Sequence, residues 1–163
     1  GFISLEALRL IDEDKEVGEI LTYIEKLSLS RKQYFMVDSL RLLVKNGRLS
    51  GASGFLGSIL KIKPILEVND EGKIVPFEKV RTQRKALDQM VNHVLEDLKD
   101  INKFVITYDT SDNVEGYEYV KGKIEEHYPN HKYYAAPITP VIGAHTGNGT
   151  VGIAYFNLDA LED

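Results

Sequence analysis

The 163-residue sequence contains no cysteine, which excludes disulfide staples, thiolate metal sites and cysteine nucleophiles together. It also lacks an excess of basic charge. Twenty Lys and Arg against 25 Asp and Glu leave a formal charge of −5, so the basic face of a nucleic-acid or anionic-membrane binder is not expected. No apolar run approaches the roughly 18 to 20 residues that span a bilayer. The first residues lack the basic region and cleavage site of a secretory signal, and a cytoplasmic protein is the expectation. Neither an internal repeat nor a low-complexity linker divides the chain. Because it opens on Gly1 and runs directly into apolar residues, the chain reads as a piece of something longer. What it does have is 43% apolar and 28% charged residues, enough for one domain, or one domain with an appendage, to bury a core.

Periodicity supplies the elements. Phe2, Ile3, Leu5, Leu8 and Ile11 suggest a short amphipathic helix, and Val17, Ile20, Leu21, Ile24 and Leu27 fall on one face of a second. No strand lies between them, so the first helix is expected to pack on material outside this chain. Tyr34 to Val37 reads as a buried strand, with Asp38 as N-cap of a helix that Asn46-Gly47 stops. Lys63 to Val68 and Lys73 to Val80 flank Asn69-Asp70-Glu71-Gly72, a strong hairpin signal. A long helix follows, marked by Leu87, Met90, Val91, Val94, Leu95 and Leu98. Phe104 to Tyr108, Tyr133 to Ile138 and Val151 to Phe156 complete six strands, with a helix lined by Val114, Tyr117, Val120 and Ile124 opening at an Asp112/Glu115 capping box. The expected fold is α/β (α+β), a two-layer domain whose mixed sheet of about six strands is covered by helices.

Two glycine-framed stretches fit neither helix nor strand. Pro137 to Gly152, PITPVIGAHTGNGTVG, mixes two prolines with Gly143, Gly147, Gly149 and Gly152, and predicts a loop built to bring backbone close to something. His145 sits at its centre. Earlier, Gly47-Arg48-Leu49-Ser50-Gly51 leads into GASGFLGSIL, where glycines on an expected helix cost about 1 kcal/mol each against Ala. Arg48 offers a planar fork suited to a carboxylate or phosphate, and His145 can donate to the same oxygens. The plain alternative pairs Arg48 with a surface acid and His145 with a backbone carbonyl.

Other patterns are weaker. Gly147 to Gly152 satisfies GxGxxG, but a strand rather than a helix follows, so the dinucleotide reading fails. Asn148-Gly149-Thr150 is a glycosylation sequon without a secretory context. His127 and His131 are separated by Pro129-Asn130 and read as surface residues rather than metal ligands, as does His93 on the long helix. No cofactor is called for.

KNGRLSGASGFLGSILKIKPIL and PVIGAHTGNGTVGI together resemble the DegV family of bacterial lipid-binding proteins. The intervening hairpin, RTQRKAL and VITYD fit the same order, over nearly the whole chain. One departure is Asn148, where the family often has proline. The resemblance implies the C-terminal half to two-thirds of a family member, with residues 1–28 a helical segment adjoining a missing first domain and 29–163 the lipid-binding domain. It implies a non-catalytic subunit that holds a long-chain fatty acid and presents its carboxylate to a partner kinase for acyl-phosphate formation. Arg48, His145 and Thr146 would serve the head group, and Phe55, Ile59, Leu60, Ile62 and Ile65 are candidates to line the tail. A stand-alone hydrolase or transferase using His145 as general base is the alternative. With half of the cleft missing, an exposed apolar patch and self-association are expected of the chain by itself.

Overall fold

A computed structural model describes residues 1–50 and 62–162. Six strands form one mixed sheet in the order β3-β2-β1-β6-β4-β5. They are β1 (Arg31–Met36), β2 (Lys63–Val68), β3 (Ile74–Val80), β4 (Phe104–Ser111), β5 (Lys132–Pro137) and β6 (Thr150–Asn157). The last strand lies in the middle, antiparallel to both β1 and β4, while β4 and β5 run parallel. The expected hairpin joins β2 and β3. Gly72 takes φ +75° there, and the Asn69 side chain accepts from the Glu71 and Lys73 amides, which closes the turn.

Alternation along the strands sends two different surfaces to the two faces of the sheet. Tyr34, Met36, Ile65, Ile106, Tyr108, Val151, Ile153 and Tyr155 face α4 (Gln83–Leu98) and α5 (Val114–Glu125), and this layer is the main core. Met90, Val94 and Leu98 from α4 and Val120 and Ile124 from α5 are fully buried in it. The helical spacing of those residues drives their helices onto the sheet. Thr82 caps α4 by accepting from the Lys85 amide. The cap of α5 falls one residue later than expected: Asn113 accepts from the Gly116 amide at 3.0 Å, while Asp112 stands at φ +56°. Asn tolerates the capping geometry as well as Asp, and the strand before it runs on to Ser111, pushing the turn along.

Among the described residues, the other face is covered at its two ends. At one, Phe2 from α1 (Phe2–Asp12) and Leu27 from α2 (Val17–Leu29) pack on Val105 and Phe156, with the Phe2 ring edge-on to Phe156 at 4.8 Å. The first helix therefore docks on this sheet, and only its outer side, Leu5, Leu8 and Ile11, stays exposed. At the other end, Leu40 and Leu43, at the start and middle of α3 (Arg41–Lys45), cover Phe35 and Leu66. Between those two ends the described residues leave a cleft over the sheet.

The stretch from Pro137 to Gly152 is more ordered than a loop. Pro140 occupies the first turn of a short helix, α6 (Pro140–Thr146), where its missing amide would have no partner in any case. Gly147 at φ +78° ends it, and Gly149 at φ +81° turns the chain into β6.

Candidate functional site

The open face is a grid set by strand register. One row across it runs Leu66, Phe35, Gly152, Asp109, Ala136, and the next runs Gln33, Ala154, Thr107, Tyr134. Gly152 leaves a gap in the floor: a Cβ there would meet Phe35 and Asp109 at 3.6 and 3.7 Å. Over this grid lies a cleft of about 440 Å³. Phe35, Val68 and Ile74 line one side, and Pro137, Ile138 and Ile142 rise as the opposite wall. The size and apolar lining suit a small ligand. A second cleft of about 230 Å³ continues toward α1, between Phe2, Phe156, Ala154 and Tyr134, with Arg31 and Thr107 also on its surface.

Asp109 and Gln33 belong to both clefts. Burial holds the Asp109 carboxyl above the usual carboxylate range. Neither residue stands out in the sequence. The signal that could have found Asp109 is the alternation in β4, where Val105, Thr107 and Asp109 share one face and the change from apolar to polar marks where its packing against α1 and α2 ends.

The two glycine-framed turns are brought together at the α3–α6 end. Asn46 Nδ2 donates to the Ala144 carbonyl at 3.1 Å. Thr146 is buried, lines the larger cleft, and donates its hydroxyl to the Ile142 carbonyl. His145 beside it is half-buried, and its Nδ1 is enclosed without a hydrogen-bond partner. His145 Nδ1 bonds no carbonyl, and no ion pair engages Arg48 among the described residues. Arg48 is exposed just past Gly47, and its side chain does not line the larger cleft, nor does that of His145.

Of the tail-lining candidates, Phe55, Ile59 and Leu60 lie outside the described residues. Ile62 is half-buried. Ile65 is fully buried in the helix-covered layer, paired with Met36 across the sheet, on the opposite face from the cleft. The odd-even alternation of β2 decides this, since Leu66 and Ile65 must point to opposite sides. Two histidines are more enclosed than expected. His131 accepts from or donates to the Tyr108 hydroxyl at 3.0 Å and bonds the Tyr128 carbonyl through Nδ1 at 2.7 Å. His93 bonds Glu78 at 3.0 Å against the Phe77 ring. Among the described residues no group of three His, Asp or Glu could hold a metal ion, and no helix is long and apolar enough to cross a membrane.

A mixed six-stranded sheet, covered by two helices on one face and bearing a cleft on the other among the described residues, defines a two-layer α/β domain. The chain belongs to the DegV family, whose model, described as "Uncharacterised protein, DegV family", matches residues 1–158. A DegV domain-containing protein of Staphylococcus aureus is 33% identical over 156 residues, which cover 95% of this chain and 54% of that protein. Among solved structures, the fatty acid binding DegV family protein of Streptococcus agalactiae matches with a TM-score of 0.86 and 31% identity, over 96% of this chain and 55% of the other. DegV of Bacillus subtilis, described as a fatty acid binding protein, matches with a TM-score of 0.82 and 34% identity, over 96% and 56%. The chain thus spans about half the length of the relatives it matches.

Proposed function

We propose that this chain is the C-terminal half of a non-catalytic fatty-acid-binding protein and supplies the tail cleft and part of the head-group site. The observation that carries the reading is the apolar cleft over the sheet, lined by Phe35, Ile74 and Ile142, with the buried Thr146 in its lining and His145 next to it on α6. Such a cleft suits an acyl tail, and a few polar groups at its end suffice to orient a carboxylate. The names of the Streptococcus and Bacillus relatives, each a fatty acid binder, support the same ligand class.

In this reading the acyl chain lies over Phe35, Gly152 and Ile74, with Phe55, Ile59, Leu60 and Ile62 as further lining. Burying about a dozen methylenes contributes roughly 10 kcal/mol at ~0.8 each, before ordering entropy is charged. Affinity then needs little from the head group, so His145, Thr146 and Arg48 orient the carboxylate rather than hold the molecule. A partner kinase phosphorylates that carboxylate to an acyl phosphate in the cytoplasm, with Arg48 at the exposed rim to meet the incoming phosphoryl group. The exposed side of α1 and the exposed Val141 and Ile142 of α6 are covered in the intact protein by its other half, and in the isolated chain by self-association.

The test is organic extraction of the purified intact protein followed by mass spectrometry. A long-chain acid released in stoichiometric amount is the expected result, and clean blanks from several preparations would overturn the reading. Arg48→Ala is expected to abolish acyl-phosphate formation with kinase and ATP while leaving the acid bound. Unchanged turnover would remove Arg48 from the proposal.

A further inference from the structure

The N-cap of α5 does more than close its own helix. Asn113 Oδ1 accepts from the Gly116 amide at 3.0 Å, and Asn113 Nδ2 donates to the Gly149 carbonyl at 3.0 Å, 36 positions along the chain. Gln83 Nε2, at the start of α4, also points at Asn113 Oδ1, at 3.4 Å. Two donors on one side and a carbonyl on the other fix which end of the amide is oxygen. Asp would cap α5 equally well, but it has no N–H to give that carbonyl. The fold yields space to the amide. A Cβ at Gly116 would stand 2.7 Å from Asn113 Oδ1 and 3.0 Å from its Nδ2, so the first turn of α5 carries a glycine where helices favour alanine. Gly149 belongs to the turn that joins α6 to β6, and the loop after β4 grips that turn. The Gly149 amide donates to the Ser111 carbonyl at 2.7 Å, and Thr110 Oγ1 donates to the Thr150 carbonyl at 3.0 Å. Thr150 Oγ1 in turn donates to the carbonyl of Gly147, the C-cap of α6, at 2.9 Å.

We propose that Asn113 is a positioning residue for the head-group end of the cleft: its side chain ties the α6–β6 turn to the start of α5 and so holds Thr146 and His145 where a carboxylate is recognised. The inference rests on the fatty-acid reading and adds to it a group outside the cleft that sets the preference for an acid. Asn113 stands apart from the larger cleft and acts through Gly149. The reason is geometric. Helix α6 has seven residues, too few to hold a direction by its own hydrogen bonds. The chain leaves it through Gly147 and Gly149, both at positive φ, where glycine has the widest choice of backbone conformation. Such a turn keeps one shape because its amides and carbonyls are bonded from outside, and for the Gly149 carbonyl Asn113 supplies that bond. Phe35 and Ile74, which meet the tail, belong to β1 and β3 and do not depend on this turn. Loss of the tether therefore falls on the head group more than on the tail.

The experiment measures the affinities of palmitic acid and of hexadecanol for the intact protein stripped of lipid. The two ligands share a tail and differ in the head group, so the ratio of their affinities is the readout. Asn113→Asp keeps an oxygen for the Gly116 amide but sets a second oxygen against the Gly149 carbonyl. It is expected to lower the acid-to-alcohol ratio about five-fold, the scale of one lost hydrogen bond. Gly116→Ala, which pushes the Asn113 amide aside without changing it, is expected to lower the ratio in the same direction. Glu16→Ala removes the side-chain cap of α2, at the other end of the sheet, and is expected to lower stability with the ratio unchanged. A folded Asn113→Asp protein with the parent's ratio overturns the positioning role. Should that variant fail to fold, the parent's ratio in Gly116→Ala overturns it equally. A ratio that falls as far in Glu16→Ala overturns it too, since any frayed helix would then have the same effect. An unmodified protein that binds the two ligands alike, or takes up neither, overturns the fatty-acid reading first, and the role of Asn113 falls with it.

Discussion

Asn46 Nδ2 bonds the Ala144 carbonyl across 98 positions of sequence, fastening the turn that carries Arg48 to the last turn of α6, which carries His145. Removing this exposed bond in Asn46→Ala is expected to cost about 0.5–1 kcal/mol in urea unfolding. The loss of fatty-acid affinity, measured by titration on the intact protein, should be larger than that small destabilisation, because the bond positions two proposed head-group residues at once. An affinity that does not change would mean the two turns are held elsewhere.

Gly149 is the position where the chain entering β6 tolerates least. Its φ of +81° belongs to glycine, and a Cβ there would stand 3.0 Å from Asp38 Cγ. Asp38 in turn accepts from Lys63 at 2.7 Å. Gly149→Ala therefore combines a left-handed penalty of roughly 1–2 kcal/mol with displacement of that pair. Thermal unfolding should show a clear drop, whereas Lys63→Ala, which removes only an exposed pair, should cost under about 1 kcal/mol.

Gly152 is predicted to separate stability from binding. Its backbone is ordinary strand, and the nearest atoms to an added Cβ lie at 3.6 to 3.8 Å, which is normal contact. Gly152→Ala should raise stability by about 0.4–1 kcal/mol by restricting the unfolded chain. The same methyl fills the gap between Phe35 and Asp109 in the cleft floor, so fatty-acid affinity should fall. A variant that is less stable, or one that binds as well as the parent, contradicts the geometry.

Asp109 carries a pH signature. Its carboxyl titrates above the ordinary range in the folded protein because burial disfavours the charge. The folded state then binds the proton more tightly than the unfolded state does. Its contribution to stability is full below the ordinary carboxylate range and is lost as pH rises through the raised folded value. Asp109→Asn removes that loss. Unfolding curves followed from acid to neutral pH should show the variant gaining on the parent as pH rises, and parallel profiles would contradict the assignment.

Much of this fold was legible in the sequence, for reasons that particular residues make plain. Leu87, Met90, Val91, Val94 and Leu98 repeat at helical spacing, and that face alone suffices to dock α4. Asn69 and Gly72 fix their hairpin through local bonds that need no tertiary context. The stretch from Pro137 to Gly152 was harder. Its prolines and glycines argue against regular structure, yet Pro140 begins a helix while Gly147 ends it, so the same residues that break elements also punctuate one. His93 and His131 looked like surface residues because single-helix periodicity is silent about what neighbouring strands bring, here Glu78 and Tyr108. The site was legible only in part. Thr146 lines the larger cleft, whereas the side chain of His145 beside it does not. Asp109 and Gln33 acquire their meaning only from register, which puts both on the cleft face of the sheet, on either side of β6.

The central place of β6 has a consequence for how the molecule is made. Strands β1, β2 and β3 pair among themselves, as do β4 and β5, but nothing joins the two groups within the sheet until Thr150–Asn157 slides between them. During synthesis each half waits with an open hydrogen-bonding border at β1 and at β4, and both borders are closed by the same late segment. That interval, rather than the finished protein, is when the chain is most exposed to sticking to its neighbours.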